Sequence, residues 1–172
     1  MILSNYWKWL DGVLKTDSWT DAYYDPAENL GLVDMDGINV PITLQSSEHS
    51  IAWYSRNINN AAIAFGSGNG SITADDYEMD TDVTSDLSNI NLTENSVGSN
   101  EGLTRTYAIT GTNSGSSDIT ITEVGLVKHI KYYDSNDGHH EKDVLFAKVK
   151  LTTPLVVAPS ANFLINLSWN EA

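Results

Sequence analysis

Apolar residues fall at every second position through much of the chain, and at every third or fourth position only at its start. The two-residue period is clearest in the last third. Leu103, Arg105, Tyr107 and Ile109 share one face of an expected strand, with Thr104, Thr106, Ala108 and Thr110 on the other. Ile119 and Ile121 then point inward against Thr120 and Thr122, but Val124 and Leu126 have the opposite parity. One extra residue flips every later side chain, so a bulge near Glu123 restores the phase, and Gly125 suits such an irregularity. His129 to Tyr133 runs outward to a loop at Asp134–Asp143. Val144–Leu151 alternates Leu145, Ala147, Val149 and Leu151 against Phe146, Lys148 and Lys150. Phe163, Ile165, Leu167 and Trp169 alternate with Leu164, Asn166 and Ser168.

Earlier strands are shorter. Ile38–Leu44 alternates around Pro41, which cannot donate to a ladder and so marks an edge strand. Ile51–Ser55 and Ala61–Phe65 are two more, separated by the turn-forming Asn57–Asn60. Many short strands broken by turn residues point to a mainly β, antiparallel sandwich or jelly-roll-like domain, each sheet with one face on the core. No strand–helix–strand rhythm is present, which argues against a doubly wound nucleotide-binding fold.

The helical period belongs to Ile2–Lys15, where Leu3, Tyr6, Trp7, Leu10, Val13 and Leu14 form one stripe and Trp9 widens it. A helix this short is marginal alone in water. Its aromatic side chains must be covered by the body of the chain or by a neighbouring subunit, and Tyr6, Trp7, Trp9 and Leu10 are the interface candidates. The expected organisation is therefore an amphipathic helix at 1–15, an acidic aromatic connection at 16–37 and a β domain at 38–172. Within the last, Asp75–Val83 reads as a weak helix or extended segment, and polar Ser85–Glu101 as the most mobile region.

Charge narrows the function. The 172 residues carry 9 Lys and Arg against 23 Asp and Glu, a net charge of −14. Phosphate binding is driven by basic side chains, so neither nucleic acid nor an anionic membrane surface is an expected partner. With no Cys there is no disulfide, Cys-ligated zinc or thiol nucleophile. The start lacks the pattern of a secretory signal, and no run reaches the roughly 18 apolar residues of a membrane-spanning helix.

Candidate chemistry is sparse. Asp75, Asp76, Glu78, Asp80 and Asp82 form the densest acidic run, but lack the register of a calcium loop; Asp34, Asp36 and Gly37 are only a fragment of one. Both read as solvated acidic faces. His139, His140, Glu141 and Asp143 lack the spacing of a zinc site and read as a surface turn. His129 and His49 have no sequence-local partner and read as half-buried residues. No nucleophile elbow or phosphate loop is present, so no catalytic, cofactor or metal residue is assigned. Trp53, Tyr54, Tyr132 and Tyr133 are possible sugar-stacking platforms, and core or interface packing explains them equally well.

From Ala61 to Trp169 the order of motifs resembles a group of structural proteins from tailed bacteriophage particles. An apolar strand enters a glycine-rich turn and reaches an Asp (Ile63-Ala64-Phe65-Gly66-Ser67-Gly68-Asn69-Gly70-Ser71-Ile72-Thr73-Ala74-Asp75). A Thr-rich strand follows, then Thr122-Glu123-Val124-Gly125-Leu126. An apolar-Ala-basic strand, Leu145-Phe146-Ala147-Lys148, and Pro159 precede the final alternation. The resemblance implies a non-enzymatic β-sandwich component of the head decoration, neck or tail, made in the host cytoplasm and residing in the virion. It also implies a homo-oligomer, by analogy a trimer, contacting other virion proteins such as major capsid, neck or tail proteins. On this account Glu123 is structural, accepting backbone N–H groups left unpaired by the bulge. The alternatives are a carbohydrate-binding module and, third, a polysaccharide-degrading enzyme.

Overall fold

Residues with a two-residue period build ten strands, beside one α-helix and a 3-10 turn at Thr84–Asp86, in the computed structural model, which describes residues 1–14, 20–24, 29–46, 61–99, 102–133 and 138–170. Helix α1 spans Ser4–Leu14. The strands are β1 Thr20–Tyr24, β2 Leu32–Val33, β3 Asn39–Val40, β4 Ile42–Ser46, β5 Ala61–Gly66, β6 Leu87–Ser99, β7 Gly102–Asn113, β8 Ile119–Tyr133, β9 His139–Val157 and β10 Asn162–Asn170. The chain is thus mainly β, and among the described residues the pairings are antiparallel except for one parallel contact, Tyr23 with Tyr133.

β8 is the axis of a five-stranded sheet. β9 pairs along its whole length on one side; β5 and β1 share the other, with β4 outside β1. The single strand expected at Ile38–Leu44 is divided at Pro41, which cannot donate to a ladder: β3 pairs with β2 in a small ribbon, and β4 lies at the edge of the larger sheet. The second sheet has the order β10-β7-β6.

The two sheets share one core. Ile63, Phe65, Ile119, Ile121, Val124 and Val157 from the larger sheet meet Leu87, Ile109, Phe163 and Ile165 from the smaller. At its centre Phe65 and Phe163 meet edge to face at 5.6 Å, a favoured aromatic geometry. Gly111 makes room for this: a Cβ there would lie 2.6 Å from the Phe163 ring. Where β7 ends, buried Asn113 donates from Nδ2 to the carbonyls of Ser117 (2.9 Å) and Val157 (2.8 Å), and its Oδ1 accepts the Gly115 N–H. One amide thereby closes the turn into β8 and ties it to the end of β9.

The larger sheet also buries its other face. Leu32, Val40, Ile42, Ile130, Tyr132, Val144 and Phe146 form a second cluster under α1, with Tyr6 and Trp9 packed against it. Leu3, Ala64, Met79, Val127 and Leu145 form a third, under the N-terminal segment and the loop before β6. Residues 1–3 run along β9: Leu3 N–H donates to Phe146 O and Lys148 N–H to Met1 O. Asn5 anchors α1 by donating to Val33 O and Leu145 O while accepting the Val33 N–H.

Three expectations change. The helix covers Ser4–Leu14 rather than Ile2–Lys15, because Ile2 and Leu3 are taken up alongside β9. Its apolar stripe is rotated: Leu3, Tyr6 and Trp9 face the body, whereas Trp7 is 55% exposed. The polar stretch Ser85–Glu101, expected to be most mobile, holds the thirteen-residue strand β6. Ile90 and Leu92 are its inward pair, packed on the main core. A register shift between Ser88 and Asn91, with Asn89 at φ 51°, obscures the alternation; Asn tolerates that left-handed backbone. Ile51–Ser55 lies outside the described residues.

Phe65 is fully buried at the meeting of both sheets. Phe65→Ala is expected to cost about 3–5 kcal/mol, read as a lower midpoint in urea unfolding with an unchanged slope.

Candidate functional site

The glycine-rich turn, the Thr-Glu-Val-Gly-Leu element and the Ala-Lys strand meet at one place, on the face of the larger sheet away from the smaller. In β8 and β9, Gly125 is opposite Lys148 and Glu123 opposite Lys150, so Glu123 and Lys148 are near neighbours on that face. The register shifts twice here, between Ile121 and Glu123 and between Leu126 and Val127. Residues 66–83 leave β5, cross this face and return.

The loop is fixed by close backbone approach. Ser67 and Gly68 N–H groups donate to Thr81 O and Asp80 O, and Val83 N–H donates to Phe65 O. Thr122 Oγ1 donates to Gly68 O (2.6 Å) and approaches Gly66 O (3.2 Å), while Lys150 Nζ donates to Gly70 O (2.6 Å). Glycine is required at Gly66, where a Cβ would lie 2.8 Å from Asp80 O and closer still to Glu123. Gly125 leaves space for Met79, whose Sδ would be 2.6 Å from an added Cβ.

Lys148 lies beneath the loop with 1% of its side chain exposed. Its Nζ is 3.3 Å from Asp76 Oδ2, 3.4 Å from Asp80 Oδ1 and 3.4 Å from Glu123 Oε2, and donates to Glu78 O at 3.2 Å. Glu123 is fully buried. Its Oε1 accepts the Asp80 N–H at 2.5 Å, while its Oε2 accepts no hydrogen bond from any described residue. Gly70 N–H donates to Asp80 Oδ2 at 3.0 Å.

Charge and burial compete here. Burial pushes the Glu123 carboxyl above the ordinary glutamate range, against the opposing pull of the Asp80 N–H and Lys148. Burial draws Lys148 down, but Glu123 and Asp76 outweigh it and hold the ammonium above the usual lysine range. Asp76 is below the usual range: burial raises it, and the Thr73 hydroxyl with Lys148 more than compensates. Removing a buried ion from water costs several kcal/mol, so this lysine persists only with its partners in place.

Glu123 accepts its backbone N–H from the covering loop, at Asp80, rather than from the irregular ladder. The acidic run is not a uniformly solvated face: Asp76 and Asp80 turn inward to Lys148, and Asp82 accepts the Thr84 N–H. The segment containing it is neither helix nor strand but an irregular loop. Asp34 is also buried. Its Oδ1 accepts the N–H groups of Asp36 and Ile38, and its Oδ2 is 2.6 Å from Lys142 Nζ. Burial raises its pKa, but Lys142 and the Ile38 N–H bring it below the ordinary value.

His139 and His140 open β9 instead of forming a turn, because the β8–β9 ladder extends to the pair Tyr133–His139. His129 is half-buried, and its partners come from the neighbouring strand: Nδ1 is 2.7 Å from Asp143 Oδ1 and Nε2 is 3.1 Å from Glu141 Oε2, both across the ladder. Among the described residues no cluster of His, Asp and Glu is arranged to hold a metal ion. Tyr132 is buried against α1 and stacks on His140, so it offers no open sugar platform; Trp53, Tyr54 and His49 lie outside the described residues, and Tyr133 is described only by its backbone. Tyr6, Trp9 and Leu10 are half-buried, leaving Trp7 as the exposed member of the interface candidates. Among the described residues no helix is long and apolar enough to cross a membrane.

Lys148 is the residue that sequence reading missed. A Lys alternating with apolar positions reads as outward-facing, and no local pattern marks Lys148 as buried. No family model, curated protein or solved structure matches the chain.

Lys148→Met leaves Glu123 buried without its counter-ion, and is expected to cost roughly 3–5 kcal/mol at neutral pH. A carboxyl whose pKa is raised by folding carries no penalty below the ordinary value of 4.5, and acquires one as pH rises through its folded value. The deficit of Lys148→Met relative to the native chain should therefore shrink as pH falls toward 4.5, measured by urea unfolding across a pH series. Glu123→Gln keeps the shape and the Oε1 acceptor but removes the charge. It is expected to lower the melting temperature; an unchanged value removes Glu123 from this role.

Proposed function

We propose that the chain is a non-enzymatic building block of a tailed-phage particle, in the head decoration, neck or tail, working through contacts with copies of itself and with neighbouring virion proteins. The observation that carries this reading is the convergence of Gly66, Gly68, Thr122, Glu123, Gly125 and Lys148 on one buried knot. The residues that carry the family resemblance act together, and their joint effect is to clamp a loop to a sheet. Their polar groups are directed at one another and at backbone, as suits a part whose work is to hold shape.

Two further features support it. Trp7 stands exposed on α1, beside the half-buried Tyr6 at 5.3 Å, and exposed aromatic anchors dominate subunit contacts. The net charge of −14 keeps copies apart in solution until a specific surface outweighs repulsion.

Quantitative mass spectrometry of purified particles is expected to find the chain at high copy number, and light scattering of the isolated protein to find a homo-oligomer, by family analogy a trimer. Trp7→Ala should weaken association while changing stability by no more than about 0.5 kcal/mol. A strictly monomeric protein with no affinity for any particle component contradicts the proposal.

A further inference from the structure

We propose that Lys148 and Asp80 condense into an intramolecular isopeptide bond, with Glu123 transferring the protons. The three groups meet the requirements of amide formation between side chains. The nucleophile, Lys148 Nζ, is sealed from solvent and 3.4 Å from Asp80 Oδ1. The other oxygen of that carboxyl, Oδ2, accepts the Gly70 N–H at 3.0 Å, a donor placed to stabilise the charge that develops on it as the carbonyl carbon is attacked. The Asp80 backbone is held beside Glu123 by its N–H bond to Oε1, so acceptor and proton carrier are fixed together.

Glu123 supplies the remaining function. Its Oε2 is 3.4 Å from Nζ, fully buried, and takes no hydrogen bond from any described residue. A carboxylate in that position is placed to accept a proton from the ammonium. Glu123 passes that proton to Asp80 Oδ1, and the neutral amine attacks Cγ of the resulting acid, forming the C–N bond. A second amine proton moves through Glu123 to the same oxygen, and the C–Oδ1 bond breaks. One ammonium and one carboxylate thus become one amide and one water. No oxidant, cofactor or activated donor is required.

Asp76 is the less suitable acceptor. Its Oδ1 is engaged by the Thr73 hydroxyl at 2.6 Å, and it is held ionised below the ordinary aspartate range. Its charge instead holds Lys148 in place. Because the ammonium form of Lys148 is favoured, the reactive arrangement is a minor one and condensation follows folding slowly. The Asp80 side chain is 39% exposed, which gives the released water a way out.

The test is the intact mass of the full chain, purified and then denatured, followed by tandem mass spectrometry of its peptides. The expected result is a mass lower by one water, with the loss mapped to a branched peptide joining Asp80 to Lys148. Lys148→Arg and Glu123→Gln are expected to restore the full mass. A native chain of full mass after prolonged incubation in the folded state overturns the proposal. So does a lost water mapped to a cyclised Asp-Gly sequence such as Asp36-Gly37. The native chain alone decides between these results, whether or not either variant folds.

Discussion

A single ammonium group under a loop sets the terms for this fold. Lys148 Nζ lies within 3.4 Å of carboxylates from Asp76, Asp80 and Glu123. Three consequences follow from burying it. The loop must come close enough to bring two aspartates and the Glu78 carbonyl to the sheet, which selects glycine at Gly66, Gly68 and Gly70. Glu123 must be satisfied from the loop side, which places the Asp80 N–H at Oε1. The strand beneath must admit Met79, which selects Gly125. Residues far apart in sequence are thereby bound to one electrostatic condition: a buried charge is tolerated only when paired and hydrogen-bonded.

That condition explains how a sheet of modest size buries both of its faces. One face packs on the smaller sheet through Phe65, Ile121 and Phe163. The other is covered by three short pieces: α1, residues 1–3 and the 66–83 loop. Each is attached by polar bonds at its margin and by a few apolar side chains within. Asn5 holds α1, the backbone of residues 1–3 extends along β9, and Lys148 holds the loop. The polar groups fix where each cover sits; Leu3, Tyr6, Met79 and Trp9 then fill the space beneath.

The sequence pattern was most legible where one face of a strand is buried and the other solvated. Ile119, Ile121, Phe163 and Ile165 announced the sandwich, and the parity change at Val124 announced the register shift beside Glu123. It was least legible where both faces are buried, because alternation then carries no sign of inside and outside. Lys148 is the clearest instance: its position among apolar neighbours suggested solvent, when it faces a second, charged layer. β6 was hidden for a different reason. Its inward residues, Ile90 and Leu92, are few, and the shift at Asn89 breaks their phase with Leu87. The site was half visible: Glu123 and Gly125 stood out by their place in the ladder, but their partners come from a loop whose path no local pattern dictates.

Native-state hydrogen exchange at the loop amides tests the central claim most directly, since protection measures the local opening free energy of that segment. The N–H groups of Ser67, Gly68, Gly70, Asp80 and Val83 are the ones held by this arrangement. If Lys148 fastens the loop, Lys148→Met should reduce their protection far more than that of Ile109 or Ile165 in the sandwich core. Equal protection at the loop amides in the native and variant chains would contradict the account.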